Sequence, residues 1–133
     1  MTADLKKVTA FNDFEKAAKS FPQSGGPRSI LVFNNKGLPI LKYSVEKGAS
    51  DNLDAHESAI GVELVRSLLA SAKTIRDKYL SRVMFFYEDE IISFEKYPPF
   101  TLLITWQADA FKTSGSSEVY IKRLIKTLQE ELT

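Results

Sequence analysis

The 133-residue sequence contains no cysteine, a single histidine and no strong excess of either charge. Without cysteine, the chain forms no disulfide and no thiolate metal site. Its 18 basic and 17 acidic side chains give a net charge of +1, so bulk charge gives no reason to expect nucleic acid or an anionic membrane as partner. No apolar run has signal-peptide length or approaches the roughly 20 residues of a membrane span. We therefore expect a cytoplasmic protein without direct membrane insertion.

The composition is that of one folded domain. Hydrophobic residues make up 44% and charged residues 26% of the chain, and a chain of this length buries about two-thirds of its unfolded surface around one core. No repeat or long linker divides it. We expect a single domain over residues 1–133, with an N-terminal helix within residues 1–22 and a core of sheet and helices over residues 29–133.

Side chains that suit catalysis or metal binding are few and scattered. His56, beside Asp54 and Glu57, supplies no complete ligand set. The glycines of QSGGPR (residues 23–28) precede a strand, whereas a phosphate-binding loop follows one and opens a helix. The acidic run Glu88–Glu90 is typical of a charged hairpin turn, with a cation site as the alternative. The sequence predicts no catalytic residue, no metal and no cofactor, although an acid donated to a site completed by another chain stays open.

Two further features have simple structural explanations. Trp106 lies in an apolar strand without interleaved basic residues, which favours core packing over base stacking. The basic positions of the last helix (Lys122, Arg123 and Lys126) are typical of a solvated helix face, with an acidic partner as the alternative.

Three segments have helical periodicity. Phe14 and Ala18 share one helical face, and Asn12 followed by Glu15 resembles a capping box at the start of this first helix, with an earlier start near Asp4 as the alternative. A second helix is expected from about Ala55 to Leu80. The last helix follows TSGSS and carries an apolar stripe formed by Ile121, Leu124, Ile125, Leu128 and Leu132.

Five segments have strand character. Ile30 to Phe33 and Leu38 to Val45 flank an Asn-Asn-Lys-Gly turn, as in a hairpin. Pro39 lacks an amide donor, which places the second strand at a sheet edge or leaves that side of it free. Residues 46–54 (EKGASDNLD) are expected to be a polar loop. Residues 81–107 contain three further strands.

The element order is helix, two strands, helix, three strands, helix. The short connections between most strands favour antiparallel hairpins over crossovers. This order predicts an α/β sandwich of the α+β class, with a five-stranded, mostly antiparallel sheet and helices on both faces.

The central helix carries more apolar surface than one sheet contact requires. At 100° per residue its apolar positions cover an arc of about 200°, whereas a helix on one sheet needs a stripe of somewhat over 100°. The positions expected to face the sheet are Ile60, Leu64, Leu68 and Ile75. The positions that then point away from it are Val62, Val65, Leu69 and Ala72. They meet a partner or another element of the same chain, and we expect a partner, because the other two helices can cover the opposite sheet face.

Two local features strengthen this expectation. Small residues allow close approach of another helix, with ordinary surface as the alternative: Gly61, Ser67, Ala70, Ser71 and Ala72. The segment RVMFFYE (residues 82–88), if it lies at a sheet edge, is an apolar edge that pairs with another chain or aggregates.

The segments together resemble the Roadblock/dynein light chain family, within the wider group that includes longin domains. Residues 29–40 (SILVFNNKGLPI) are similar to its first hairpin, and residues 60–80 (IGVELVRSLLASAKTIRDKYL) to its central helix. Residues 100–111 (FTLLITWQADAF) and 116–132 (SSEVYIKRLIKTLQEEL) resemble its last strand and helix. The resemblance covers nearly the whole chain, and the helix before the first strand favours Roadblock over longin domains.

The resemblance implies a dimer, with itself or with a paralogous Roadblock chain, in which the central helices pack antiparallel and the third strands pair. Carried over to this sequence, the helix contact comprises Val62, Val65, Leu69, Ala72 and Arg76. The strand contact comprises Arg82, Val83, Met84, Phe85, Phe86 and Tyr87. The resemblance further implies a non-enzymatic scaffold or regulator of a small Ras-like GTPase or of a related signalling or motor assembly.

Two other functions remain as alternatives. A longin-like trafficking adaptor would be monomeric and would bind peptide motifs or coat subunits. A small-molecule sensor domain would contain an apolar interior pocket.

Overall fold

The computed structural model describes residues 11–21, 26–51, 53–54, 56, 59, 63, 66–75, 82–97, 99–107 and 116–132. Within these ranges the elements follow in this order: α1 (11–18), β1 (Pro27–Phe33), β2 (Pro39–Ser44), β3 (Gly48–Ser50), α2 (Arg66–Ile75), β4 (Arg82–Phe86), β5 (Glu90–Tyr97), β6 (Phe100–Gln107) and α3 (Ser116–Leu132). None of the helices described here is long and apolar enough to cross a membrane.

The strands form one antiparallel sheet in the order β3-β2-β1-β6-β5-β4. The two central strands, β1 and β6, pair with Ile30 opposite Ile104, and both of these side chains are fully buried. The strands β3 and β4 lie at the two edges. The expected α+β class, with its antiparallel sheet, is confirmed.

The sheet has six strands, whereas the sequence predicted five. The additional strand, β3, lies in the segment expected to be a polar loop. Its sequence, Gly-Ala-Ser, has low strand propensity and no alternation of polarity. It forms because a turn returns the chain along β2, so that Lys42 pairs with Ser50 and Ser44 with Gly48. The strand β2 is therefore an inner strand of the sheet. Its first residue, Pro39, lies beyond the residues of β2 that pair with β3, so no residue of β3 is opposite it. This agrees with the alternative in which the side of the strand at Pro39 is free.

The hairpin between β1 and β2 closes through the expected turn residues. The side-chain oxygen of Asn34 accepts hydrogen bonds from the amides of Lys36 at 2.9 Å and Leu38 at 3.1 Å. Gly37 has φ +79°, a left-handed conformation that glycine adopts without steric cost. One asparagine side chain and one glycine thus stabilise the turn, together with backbone hydrogen bonds between Asn34 and both Gly37 and Leu38.

The described helices lie on both faces of the sheet. The face under α1 and α3, here called the two-helix face, holds the main core. It includes Phe14 and Ala18 of α1, together with a stripe from α3 that consists of Tyr120, Ile121, Leu124, Ile125 and Leu128. The opposite face, the one-helix face, has a smaller cluster around Phe33 and Phe94 that is covered by Leu68 of α2. Helices on both faces and the apolar stripe of the last helix are confirmed, except for Leu132, whose side chain lies outside the described residues.

Aromatic side chains fill the centre of the two-helix face. Trp106 is fully buried and makes edge-to-face contacts with Phe21 (ring centroids 5.7 Å apart) and Tyr120 (5.8 Å). Its indole N–H donates a hydrogen bond to the Ser93 hydroxyl at 2.7 Å. The expected core role of Trp106 is confirmed.

The capping box expected at Asn12 and Glu15 is wrong. Residue 11 is already helical, so Asn12 lies inside α1 and not at its start, and the alternative start near Asp4 lies outside the described residues. The Glu15 carboxylate instead accepts a hydrogen bond from the Ala49 amide of β3, at 3.0 Å. A spacing of three residues fits a helix cap equally well at many positions, and the partner strand was not expected. For the central helix, the structure describes a continuous stretch over Arg66–Ile75, within the expected range.

Candidate functional site

The strand β4 is the longer of the two sheet edges and is rich in apolar residues. Among the described strands it is hydrogen-bonded to β5 alone, with Val83 opposite Phe94 and Phe85 opposite Ile92. The residues expected to form the strand contact, Arg82 to Tyr87, therefore lie at an edge, as the sequence interpretation required. An apolar edge strand of this kind is a template for pairing with a further chain.

The backbone of β4 presents hydrogen-bonding groups away from β5. The Tyr87 amide donates to the Glu90 carbonyl at 2.9 Å, which makes this a hydrogen-bonded pair. Because such pairs alternate along an antiparallel ladder, Phe85 also bonds towards β5, whereas the amide and carbonyl groups of Met84 and Phe86 are directed outwards. A second strand would meet these outward groups.

The side chains of this strand become more exposed towards its end. Residues Arg82 to Phe85 are half-buried, whereas Phe86 is 72% and Tyr87 56% exposed. Met84 packs against the main core on the two-helix face, and Val83 against the cluster of Phe33 and Phe94 on the one-helix face. Two large aromatic side chains thus remain accessible at the end of an edge strand that is otherwise anchored in the fold.

The helix α2 and the strand β4 lie on one continuous part of the molecule. Leu68 of α2 and Val83 of β4 pack against the same buried pair, Phe33 and Phe94. Leu68 therefore faces the sheet, as its position on the helix predicted. A partner that meets the outer side of α2 lies close to the edge formed by β4.

Three of the four exposed residues that the structure describes on α2 have short side chains. Arg66, Ser67, Ala70 and Ser71 are exposed. Of the expected helix-contact residues, Val62, Val65 and Arg76 lie outside the described residues. Leu69 and Ala72 belong to α2, but their side chains are not described. The apolar arc predicted for this contact therefore stays a prediction.

The expected helix contact was based mainly on the apolar arc and less on the exposed small residues. Ala70 and Ser71 follow Ser67 by three and four residues, a spacing that places all three on one side of the helix. Their small size was the available signal, because short side chains allow the backbone of another helix to approach closely.

The other candidate residues lie apart from this surface. His56, Glu88 and Asp89 are exposed. Glu90 is half-buried, and its carboxylate lies 3.7 Å from the guanidinium of Arg28. The described residues contain no group of three histidine, aspartate or glutamate side chains that could hold a metal ion. Residues 23–25 of the glycine-containing connector lie outside the described residues.

A small cleft lies beside the end of α1. It has a volume of about 270 Å³, and its lining includes Phe21, Pro27, Tyr43, Val45 and Gln107. Small-molecule sites are usually clefts of roughly 300–1,000 Å³ with a few convergent polar groups. The cleft falls just below this range, so the exposed edge and helix are the stronger candidate site.

Comparisons with solved structures identify the fold. The chain is similar to Myxococcus xanthus MglB, with a TM-score of 0.64 and 13% identity over 92% of this chain and 94% of that one. It is similar to a Roadblock/LC7 domain from Streptomyces avermitilis, with a TM-score of 0.61 and 12% identity over 90% and 98% of the two chains. It is also similar to an MglB with a tetrameric arrangement, with a TM-score of 0.60 and 15% identity over 92% and 93%.

Sequence comparisons alone do not reach these proteins. No protein-family model matches the chain, and no curated protein matches it in sequence. At 12–15% identity the structural likeness shows the arrangement of helices and strands. The chain has a Roadblock/LC7-like fold.

Proposed function

We propose that this chain is a non-enzymatic cytoplasmic scaffold or regulator, one domain over residues 1–133, that acts as a dimer. The dimer forms with a second copy or with a paralogous Roadblock chain, and its composite surface binds a small Ras-like GTPase or a related signalling or motor assembly. The observation that best supports this proposal is the exposed β4 edge, which lies beside the outer side of α2 and ends in the exposed side chains of Phe86 and Tyr87.

The geometry supports the use of both elements in one contact. Pairing of β4 with its counterpart would satisfy the outward groups of Met84 and Phe86 and bury the two exposed aromatic side chains. The short side chains Ser67, Ala70 and Ser71 would let two α2 helices approach closely over the joined sheets. The fold likeness to an MglB with a tetrameric arrangement supports self-association.

The small GTPase as partner rests on the resemblance to the Roadblock family. A module without chemistry of its own influences a GTPase only by binding one of its conformations more tightly. A tenfold preference corresponds to about 1.4 kcal/mol. We expect calorimetry against a panel of small GTPases, each loaded with GDP or with a non-hydrolysable GTP analogue, to find a partner with a nucleotide-dependent affinity. Equal affinity for both nucleotide states would contradict a regulatory role, and the chain would then only tether the GTPase.

Light scattering after size-exclusion chromatography tests the dimer. We expect the wild type at twice the mass of one chain at micromolar concentration. Two variants are expected to be folded monomers: Leu69→Asp, which places a charge in the helix contact, and Phe86→Pro, which removes an outward amide of β4. Phe86→Ser removes the aromatic ring but keeps that amide, so it separates the contribution of the side chain from strand pairing.

The control for these variants is Lys122→Asp, an exposed charge reversal on α3, on the opposite side of the sheet. It should leave the dimer intact. A monomeric wild type would overturn the proposal and favour the longin-like adaptor. A dimer that survives both Leu69→Asp and Phe86→Pro would place the contact elsewhere on the chain.

A further inference from the structure

We propose that Glu15 of α1 closes the β3 edge of the sheet, and that its withdrawal opens this edge to the β4 strand of a second copy. The sheet has two edge strands, β3 and β4. The proposed dimer pairs through the β4 edge, and the Glu15 side chain covers the β3 edge.

The contact between helix and strand is direct. The Ala49 amide donates to Oε1 of Glu15 at 3.0 Å. Ala49 lies opposite Tyr43, between Gly48 and Ser50, which also pair with β2. The Ala49 amide donates its hydrogen bond to the helix side chain and not to β2. In an antiparallel ladder this amide is directed to the outside of the sheet. The carboxylate therefore occupies the place where the next strand would accept a hydrogen bond.

Glycine at position 48 makes room for this carboxylate. A Cβ atom on Gly48 would lie 1.8 Å from Oε1 of Glu15, so any larger residue would push the carboxylate away. Gly48 also has φ +73°, a conformation that suits glycine at the turn into β3. One glycine thus serves both the turn and the approach of the helix side chain.

The carboxylate has a second contact near the end of its own helix. Its other oxygen lies 3.5 Å from the ammonium of Lys19, which follows the last residue of α1. The helix itself is anchored, because Phe14 and Ala18 are buried and the Tyr120 hydroxyl donates to the Ala18 carbonyl. Glu15 is therefore part of a fixed helix and not of a loose loop.

The occupant that fits an opened β3 edge is the β4 strand of another copy. This step rests on the proposed function, which makes β4 the docking strand. A contact of β4 on β3 is heterologous: each copy keeps one edge unused, so the assembly continues into open chains. A contact of β4 on β4 closes at two copies. By covering β3, Glu15 limits association through strands to the closed form.

The test compares Glu15→Ala with the wild type in two measurements. Hydrogen exchange should show the Ala49 amide exchanging about tenfold faster in the variant at low concentration, since its acceptor is lost. Light scattering should show a mean mass that rises with concentration above the wild-type mass. Adding Phe86→Pro to Glu15→Ala should abolish this rise, because the docking strand loses an outward amide.

Three variants control for charge and folding. Glu15→Gln keeps an oxygen that accepts from Ala49 and should behave as the wild type. Lys19→Ala removes the ion pair but not the hydrogen bond, and should also keep the wild-type mass. If Glu15→Ala is unfolded by circular dichroism, Glu15→Asp takes its place, because it keeps the charge on α1 but shortens the side chain by one methylene.

The inference is overturned if the variant that withdraws the carboxylate keeps the wild-type mass at every concentration, or if Ala49 exchanges at the same rate in both proteins. The wild-type mass alone decides the proposed dimer. The difference between variant and wild type decides the role of Glu15, so the two proposals can fail separately.

Discussion

Arg82 and Glu95 form an ion pair across the β4–β5 pairing, with Nε of the arginine 2.9 Å from Oε2 of the glutamate. The two side chains differ in environment, since Glu95 is 2% and Arg82 29% exposed. The arginine compensates the charge of this deeply buried carboxylate, so the pair fixes the edge strand to its neighbour in addition to the ladder.

Replacing the arginine should destabilise the fold. We expect Arg82→Leu to lower the free energy of unfolding by about 3–5 kcal/mol, because it removes the cation that pairs with a buried carboxylate. Denaturation in urea measures this change, and the double variant Arg82→Leu/Glu95→Leu should recover most of the loss. The control is Arg28→Leu at the exposed pair with Glu90, where the change should stay below about 1 kcal/mol. Equal losses at the two sites would contradict the prediction.

The hydrogen bond between Trp106 and Ser93 should contribute measurably to stability. Both residues are fully buried, so Ser93→Ala removes the acceptor of an indole N–H that is shielded from water. We expect a loss of about 1–3 kcal/mol. Trp106 is the only tryptophan in the sequence, so its fluorescence follows unfolding directly. Thr127→Ala, which removes an exposed hydrogen bond on α3, should change stability by less than Ser93→Ala does.

Stability should fall at alkaline pH because of Tyr120. Burial, with a smaller effect of the neighbouring Tyr43, raises the pKa of Tyr120 well above its ordinary value of 10.0. Below pH 10 the folded and unfolded states bind the same proton. Above pH 10 the unfolded chain releases it while the folded protein keeps it, so the free energy of unfolding decreases by up to about 1.4 kcal/mol per pH unit.

The variant Tyr120→Phe separates this effect from ordinary packing. It should cost about 1 kcal/mol at neutral pH, since the hydroxyl donates to the Ala18 carbonyl. Its alkaline slope should be shallower than that of the wild type, with a remaining slope from Tyr43, whose pKa burial also raises. Urea titrations between pH 8 and about pH 11 measure both quantities. An unchanged slope would assign the alkaline loss to other groups.

Local patterns were sufficient for the elements whose signals lie within a few residues. The hairpin turn could be predicted because Asn34 and Gly37 have distinct backbone preferences. The stripe of α3 could be predicted because Leu124 and Leu128 recur at helical spacing. The inward orientation of Leu68 followed from the same periodicity.

Contacts between distant segments could not be predicted in this way. The strand β3 has no strand pattern, and its outward amide finds its acceptor in Glu15, more than thirty positions earlier in the chain. The pairing of Arg82 with Glu95 depends on strand register, which hydrophobic patterns specify only by face. At the candidate site, the strand contact was implied by the family resemblance and favoured by its apolar sequence, and it stays a prediction. The exposure of Ser67 and Ala70 depends on how far α2 is rotated over the sheet.

The strand order also determines when the sheet can close during synthesis of the chain. The strands β1 to β3 come from the first half of the sequence and β4 to β6 from the second, and among the described strands the two halves of the sheet are joined by the pairing of β1 with β6. Until the ribosome has released the end of β6, one whole side of β1 has no neighbour. Closure of the sheet is therefore a late, long-range event. A nascent chain that ends before residue 100 lacks β6, so the side of β1 that pairs with β6 in the folded protein stays exposed.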